Sequence, residues 1–276
     1  MVSEKNTCNF LDVALLQFSA SWENAGESLS GIDSVLERVF SDGLPLRPDL
    51  VVLPEFFAVG FSMNPAVAEP AESSFTLEWM KSVSAKYGCA LAGSVPVSEN
   101  GMRYNRLFFV YPDGEEVAVL KYDKGHLFFG GEDTAYVAGT RREVFEYKGW
   151  KILPNICFDL RFPEWCRNFA EQPYDLYLNV ANWPVARNAA AEILLKARAI
   201  ENVCWSVFCN RTGNDALLEY SGNSAVIDYR GRSKGKYIDV NGTEVVYARL
   251  EKEPMMRFRE GSVSYTHLTL PTILRV

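Results

Sequence analysis

The chain of 276 residues lacks several features that define common protein classes. It has two histidines, His126 and His267, so a metal site built from several histidine ligands is excluded. Its six cysteines form no Cys-x-x-Cys pair, which leaves a zinc ribbon or a thioredoxin-like centre without support. No apolar run reaches the roughly 18 residues that a membrane-spanning helix needs, so we expect no membrane partner.

Basic residues are also in deficit, because 28 lysines and arginines stand against 35 aspartates and glutamates and give a formal charge of −7. This balance argues against nucleic acid as a partner. The start, MVSEKNTCNF, lacks the basic and apolar regions of a secretory signal, so we expect a cytoplasmic protein with free thiols. With 48% apolar and 23% charged residues, the composition excludes a disordered or fibrous chain.

The chain alternates predicted strands and helices without a linker. Apolar runs predict strands at 11–17, 50–54, 89–97, 104–111, 116–122, 143–147, 151–157, 174–181, 204–209, 224–229 and 243–250. Helical spacing predicts helices at 24–40, 74–87 and 189–202, with a further one beginning at Pro163. The segment 231–237 is rich in turn residues, and we expect it to join the last two strands. Hairpins mixed with βαβ units predict an α/β fold with mixed sheets.

Three segments place a reactive side chain after an apolar strand, where open α/β sheets build their sites. Glu55 follows Val51–Leu53 and has aromatic neighbours, which suits a general base. Lys124 follows a strand and could stabilise a developing oxyanion. Cys157 ends a strand just before a predicted helix, a position that exposes the sulfur near free backbone N–H groups that favour a thiolate.

Each residue alone has an ordinary structural explanation, but the combination is more specific. A thiol nucleophile needs a base to take its proton and a cation to stabilise the charge on the attacked carbonyl. A cysteine–histidine dyad of the papain type is the main competitor. His126 is the one candidate histidine before the C-terminal tail, and no papain-like sequence surrounds Cys157. Glutamate is therefore the more natural base.

These motifs resemble the carbon–nitrogen hydrolase (nitrilase) superfamily, and most closely its ω-amidase branch, over residues 10–261. LPEFFAVGFSM, YDKGHLF and ICFDLRFPE match the family's glutamate, lysine and cysteine motifs and give Glu55, Lys124 and Cys157. GGEDTAYVAG fits the segment that carries a second glutamate, Glu132. NVANWP resembles the strand end of the substrate pocket and contributes Asn182 and Trp183.

The resemblance implies a four-layer αββα sandwich, a homodimer, and amide hydrolysis without a cofactor or metal. Glu55 would take the thiol proton of Cys157, and the thiolate would attack the amide carbon. Lys124 and the backbone N–H of Phe158 would hold the oxyanion, and Glu132 would orient the lysine or a water molecule. Ammonia leaves, and water activated by Glu55 hydrolyses the Cys157 thioester.

For the ω-amidase branch the implied substrate is the terminal amide of a small 2-oxo dicarboxylic acid monoamide, such as 2-oxoglutaramate. The far carboxylate of such a substrate needs a cation, and we expect Arg187 to bind it because guanidinium binds carboxylate bidentately. A solvated residue at a helix start is the alternative for Arg187. Arg161 is expected to be a structural partner of acidic neighbours.

Other functions stay open at this stage. One is a different amide or nitrile specificity within the superfamily: an N-carbamoyl hydrolase, a nitrilase or a metabolite-repair amidase. Another is a relative without catalytic activity that serves as a binding or scaffold subunit, although the complete Glu–Lys–Cys set argues against it.

The C-terminal segment 262–276 does not fit the rest. Its sequence, SVSYTHLTLPTILRV, resembles translated read-through of a sequencing-library adapter, and such segments are kept out of fold predictions. A divergent terminal strand is the alternative, since SVSYTHLTL contains strand-forming residues. We therefore expect one carbon–nitrogen hydrolase domain over residues 1–261, followed by a non-native tail.

Overall fold

The computed structural model describes residues 9–262, which form two facing β-sheets with helices on their outer surfaces. The first sheet contains β1 (Phe10–Leu16), β2 (Leu50–Val52), β3 (Glu69–Pro70), β4 (Ala90–Glu99), β5 (Met102–Asp113), β6 (Glu116–Asp123), β14 (Lys236–Val240) and β15 (Thr243–Glu251). The second contains β7 (Phe145–Tyr147), β8 (Trp150–Ile156), β9 (Leu176–Ala181), β10 (Trp205–Asn210) and β13 (Ala225–Ile227). A separate hairpin joins β11 (Thr212–Asn214) to β12 (Glu219–Ser221).

Six α-helices complete the described part of the chain. They are α1 (Ala25–Arg38), α2 (Phe75–Tyr87), α3 (Glu132–Ala135), α4 (Pro163–Cys166), α5 (Asn188–Asn202) and α6 (Lys252–Glu260). Helix α2 begins at the side-chain cap of Ser74 and ends at Gly88, whose φ of 66° provides the left-handed stop that glycine favours.

Both sheets mix parallel and antiparallel pairing. In the first sheet the strand order is β14-β15-β1-β2-β4-β5-β6, and β1, β2 and β4 run parallel while the remaining neighbours in this order pair antiparallel. In the second, β8, β9 and β10 run parallel inside the order β13-β10-β9-β8-β7, with an antiparallel strand at each edge. The prediction of an α/β fold with mixed sheets is confirmed.

The four layers follow from the alternation of side chains along each strand. On β1, Leu11, Val13 and Leu15 face the second sheet, whereas Ala14 and Leu16 face helices α1 and α2. Helix α1 contributes its predicted apolar stripe, Leu29, Ile32, Val35 and Leu36, to that outer core. Helix α5 covers the second sheet, so the order of layers is αββα, as predicted.

The C-terminal third differs from the sequence prediction in three ways. The predicted strands at 224–229 and 243–250 belong to different sheets, because β13 pairs with β10 and β15 pairs with β1. The turn-rich segment 231–237 runs into strand β14, which pairs antiparallel with β15. Helix α6 was not predicted, since most of its stability comes from tertiary contacts: the Arg259 guanidinium contacts Asp175 and the carbonyl oxygens of Tyr174 and Val203.

The predicted tail lies outside the described residues, apart from Ser262. Among residues 9–262, no helix is both long and apolar enough to cross a membrane.

Gly139 packs closely against the backbone at the end of β6. Its replacement by alanine tests this close approach. Its N–H donates to the carbonyl oxygen of Lys124 at 2.8 Å, and an added Cβ would lie 2.2 Å from the backbone oxygen of Asp123. Gly139→Ala should therefore lower the free energy of unfolding in urea by about 2 kcal/mol or more.

The matched control is Gly26→Ala in the first turn of α1, where the nearest atom to an added Cβ is 3.8 Å away. Its free energy of unfolding should change by no more than about 1 kcal/mol. Equal stability of the two variants would contradict the packing described for Gly139.

Candidate active site

The predicted reactive residues come together where strands of the two sheets end. Glu55 follows β2, Lys124 follows β6 and Cys157 follows β8. Asn182 follows β9 and connects the two sheets: its backbone N–H donates to Glu55 Oε2 at 2.9 Å, and its Nδ2 donates to the Glu55 carbonyl oxygen at 2.8 Å. These two hydrogen bonds thus join the end of β9 in the second sheet to the end of β2 in the first.

Lys124 is the centre of a buried ionic cluster. Its Nζ lies 2.8 Å from Glu55 Oε1 and 3.0 and 2.8 Å from the two carboxylate oxygens of Glu132, and none of the three side chains is exposed. The N–H of Phe128 donates to Glu132 Oε2 at 2.7 Å and so helps fix the second carboxylate. The structure therefore brings Glu55, Lys124 and Glu132 into direct contact, as expected.

Asn105 on β5 also belongs to this cluster and was missed from the sequence. Its Nδ2 donates to Glu55 Oε1 at 2.7 Å and to Glu132 Oε1 at 2.8 Å. The available signal was a polar residue on a buried strand face, because Asn105 alternates with Leu107 and Phe109, which lie between the sheets.

Cys157 occupies a strained turn directly after β8. Its φ of 46° is unusual for a residue with a side chain, and residues 157–161 form a single turn of 3-10 helix. The sharp turn was expected, but the expected exposure was wrong, because the Cys157 side chain is buried. Its Sγ lies 3.9 Å from the carbonyl oxygen of Asn182.

The electrostatics of the cluster follow from this burial. Removal from water raises the pKa of the Cys157 thiol well above its ordinary value, and the negative charge of Glu55 raises it further, while Lys124 opposes both effects. Burial and the charge of Glu55 also raise the pKa of Glu132, against the opposing effect of Lys124. Burial and the nearby carboxylate thus oppose formation of the thiolate, whereas the sequence predicted only backbone N–H groups that favour it.

His126 is engaged by Asp159 and forms no dyad with the cysteine. Its Nδ1 lies 2.8 Å from Asp159 Oδ1, and its ring stacks on Phe162 with 3.6 Å between centroids. The Asp159 carboxylate also accepts hydrogen bonds from the N–H groups of Ile156 and His126 and from the Tyr122 hydroxyl. Asp159 thus ties the segment around Lys124 to the cysteine turn.

A small, largely apolar cavity opens beside Cys157, and several of the predicted substrate residues line it. They are Phe158, Asn182, Trp183 and Arg187. Trp183 is held at both ends, since its N–H donates to Asn210 Oδ1 and its Nε1 donates to the Arg187 carbonyl oxygen. Glu55, Lys124 and Glu132 are buried and do not line the cavity.

The cavity has further lining residues that the sequence did not reveal: Phe61, Phe128, Arg161, Leu218 and Tyr220. Phe61 and Phe128 stand within the glutamate and lysine motifs, but nothing in those motifs indicates that the two rings line one cavity with Tyr220. The expectation for Arg161 was wrong, because no ion pair joins it to a carboxylate in the described part of the chain. Its guanidinium lies 5.3 Å from the centre of the Trp183 ring, while that of Arg187 lies 4.7 Å from the Phe128 ring.

No group of three or more His, Cys, Asp and Glu side chains within residues 9–262 is arranged to hold a metal ion. The arrangement can instead move a proton from a buried thiol to a buried carboxylate and stabilise negative charge with a fixed ammonium.

Comparison with solved structures supports the fold. XC1258 from Xanthomonas campestris, described as a CN-hydrolase superfamily protein with an arsenic adduct in its active site, superimposes with a TM-score of 0.84. The two chains are 38% identical, with 94% of this chain and 97% of that one covered. Nit3 of Saccharomyces cerevisiae, from the nitrilase superfamily, shares the fold at 24% identity, a TM-score of 0.81 and coverages of 95% and 97%.

Sequence comparison agrees. The chain is 42% identical to the ω-amidase YafV of Yersinia enterocolitica over 206 residues, which cover 74% of this chain and 76% of that protein. It is 32% identical to the 2-oxoglutaramate amidase of Bacillus subtilis, with 76% and 79% covered. The family model for carbon-nitrogen hydrolases matches residues 12–259. As its motifs indicated, the chain belongs to the carbon-nitrogen hydrolase family.

Proposed function

We propose that the protein is an ω-amidase-like enzyme that releases ammonia from the terminal amide of small 2-oxo dicarboxylic acid monoamides. The observation that carries the proposal is the buried Lys124–Glu55 contact next to a cysteine that lines a cavity with two arginines. The similarity to the ω-amidases and to the 2-oxoglutaramate amidase supports the same activity.

The first half of the reaction uses the neutral thiol. Glu55 takes the proton of Cys157, and the sulfur forms a bond to the amide carbon as the carbonyl π electrons move to oxygen. Lys124 and the backbone N–H of Phe158 stabilise that oxyanion. The oxyanion collapses, the C–N bond breaks, and Glu55 returns the proton to the departing ammonia, which leaves a thioester on Cys157.

The second half repeats these roles with water as the nucleophile. Glu55 takes a proton from the water, the hydroxide attacks the thioester carbon, and the thiol leaves with the proton. Glu132 takes no proton in this scheme. Its two oxygens hold the Lys124 ammonium, so the charge that faces the oxyanion is fixed before the substrate binds.

In this proposal the residues that line the cavity select the substrate. Asn182 and Trp183 shape its wall beside Cys157, and a short chain fits the narrow space between aromatic rings. Arg187 binds the far carboxylate of the substrate, and Arg161 is its partner in this role, because both guanidinium groups line the same cavity.

We further propose that the protein acts in the cytoplasm as a homodimer. On helix α5, Ile193 and Ile200 are seven residues apart, share one face, and are 67% and 52% exposed. Helix α6 adds the half-exposed Met256. Sedimentation velocity should give twice the mass of one chain.

We also propose that residues 1–261 form one domain and that the segment after it is a non-native tail. Genomic DNA beyond codon 261 should then encode a different continuation.

The activity itself gives the first prediction. The wild-type protein should release ammonia from 2-oxoglutaramate, and Cys157→Ala should lose at least about 1,000-fold in kcat because it removes the nucleophile. The assay follows ammonia with glutamate dehydrogenase. The matched control is Cys89→Ala, which replaces another buried cysteine outside the cavity and should stay close to wild-type activity.

Other outcomes separate the alternatives. Activity on N-carbamoyl compounds, nitriles or other amides but not on 2-oxoglutaramate would assign a different specificity within the family. A folded wild-type protein that is inactive on the whole panel would instead support a non-catalytic role.

The arginines give the second prediction. Arg187→Ala and Arg161→Ala should each raise KM for 2-oxoglutaramate about tenfold, which corresponds to about 1.4 kcal/mol of lost binding to the carboxylate. For butyramide, which has no carboxylate, KM should change less than threefold. Arg167→Ala is the control, since this exposed arginine does not line the cavity. An equal rise of KM for both substrates would exclude a carboxylate-binding role.

A further inference from the structure

Asn105 is a polar residue on a strand face whose other side chains are apolar. It is fully buried on β5, on the face that carries Leu107 and Phe109 into the core between the sheets. A buried polar side chain costs free energy unless its groups are hydrogen-bonded. Packing alone therefore does not explain why an asparagine occupies this position.

Those contacts fix the orientation of the amide group. Nδ2 donates to Glu55 Oε1 at 2.7 Å and to Glu132 Oε1 at 2.8 Å, which uses both of its hydrogens. Oδ1 is buried and has no hydrogen-bond partner among the described residues. The opposite orientation would place an oxygen against two carboxylates, so the observed one is electrostatically required.

The amide compensates for a charge imbalance in the cluster. Two carboxylates surround one ammonium, and their Oε1 atoms approach each other closely enough to share the Asn105 nitrogen as well as Lys124 Nζ. Like charges in such a site favour protonation of one partner. A neutral donor stabilises both anions without adding a second cation to the cluster.

We propose that Asn105 is a positioning residue that donates one hydrogen bond to each glutamate and so keeps Glu55 oriented for removal of the thiol proton. The proposal rests on the proposed function for the role of Glu55. It assigns Asn105 no contact with substrate, since Asn105 does not line the cavity.

Other titratable groups also face the two carboxylates. Lys124 and Cys157 belong to the cluster itself, and the charge of Glu132 contributes to the raised pKa of the Tyr136 hydroxyl, whose first cause is burial. Burial likewise raises the pKa of Tyr220. Because both pKa values are raised, neither tyrosine contributes to the acidic limb of a pH profile. The hydrogen bond from Asn105 acts to lower the pKa of Glu132.

The test compares Asn105→Ala and the isosteric Asn105→Asp with wild type. In Asn105→Ala both hydrogen bonds are lost, and in Asn105→Asp a protonated carboxyl can donate only one. We expect kcat for 2-oxoglutaramate to fall at least tenfold with KM within threefold, and the acidic limb of kcat/KM to move up by about one pH unit. Asn168→Ala, which removes another buried and hydrogen-bonded asparagine, should leave the limb in place.

A second measurement does not depend on the substrate. Iodoacetamide alkylation of Cys157, followed by peptide mass spectrometry, should show the same upward displacement of its acidic limb in the two Asn105 variants. If Asn105→Ala does not fold, Asn105→Asp alone decides the matter. Wild-type inactivity with a displaced alkylation profile would overturn the proposed function but support the role of Asn105. Profiles that coincide with those of wild type and Asn168→Ala would overturn that role.

Discussion

The site depends on one buried ammonium group. Lys124 has lost its hydration, and transfer of such an ion from water costs several kcal/mol even after relaxation. Glu55 and Glu132 offset that cost through three contacts of 2.8 to 3.0 Å. Neither carboxylate would be tolerated in this interior without the lysine, and the lysine would not remain charged without them. Loss of the lysine would leave two buried carboxylates without a counter-charge, whereas loss of one glutamate would leave the lysine paired with a single carboxylate.

The fold supplies the geometry that this cluster needs. Glu55, Lys124 and Asn105 come from the first sheet and its connections, whereas Cys157 and Asn182 come from the second. Asn182 bridges the two by contacting Glu55 with both its backbone and its side chain. Phe56, after β2, and Cys157, after β8, have positive φ angles, which indicate local backbone strain. The stability of the sandwich compensates for this strain.

Sequence patterns were sufficient for most strands of the two sheets, although not for β3 and β14, and for the helices α1, α2 and α5. They also pointed to Glu55, Lys124, Glu132 and Cys157, whose catalytic roles stay predictions. Those features depend on local periodicity or on contiguous motifs. Asn105 and the aromatic cavity wall depend on pairings between distant strands, which a single sequence does not display. The exposure of Cys157 was misjudged for the same reason, because burial is a property of both sheets together. Helix α6 was missed because Arg259 makes its stabilising contacts outside the helix.

We propose that this buried cluster drives transfer of the acyl group to Cys157. The most direct measurement is mass spectrometry of the protein quenched in acid during turnover of 2-oxoglutaramate. We expect an acyl adduct on the peptide that contains Cys157, with the mass of the substrate less ammonia, and we expect no such adduct in Glu55→Gln. Ammonia release without any adduct on Cys157, sustained in Cys157→Ala, would contradict it.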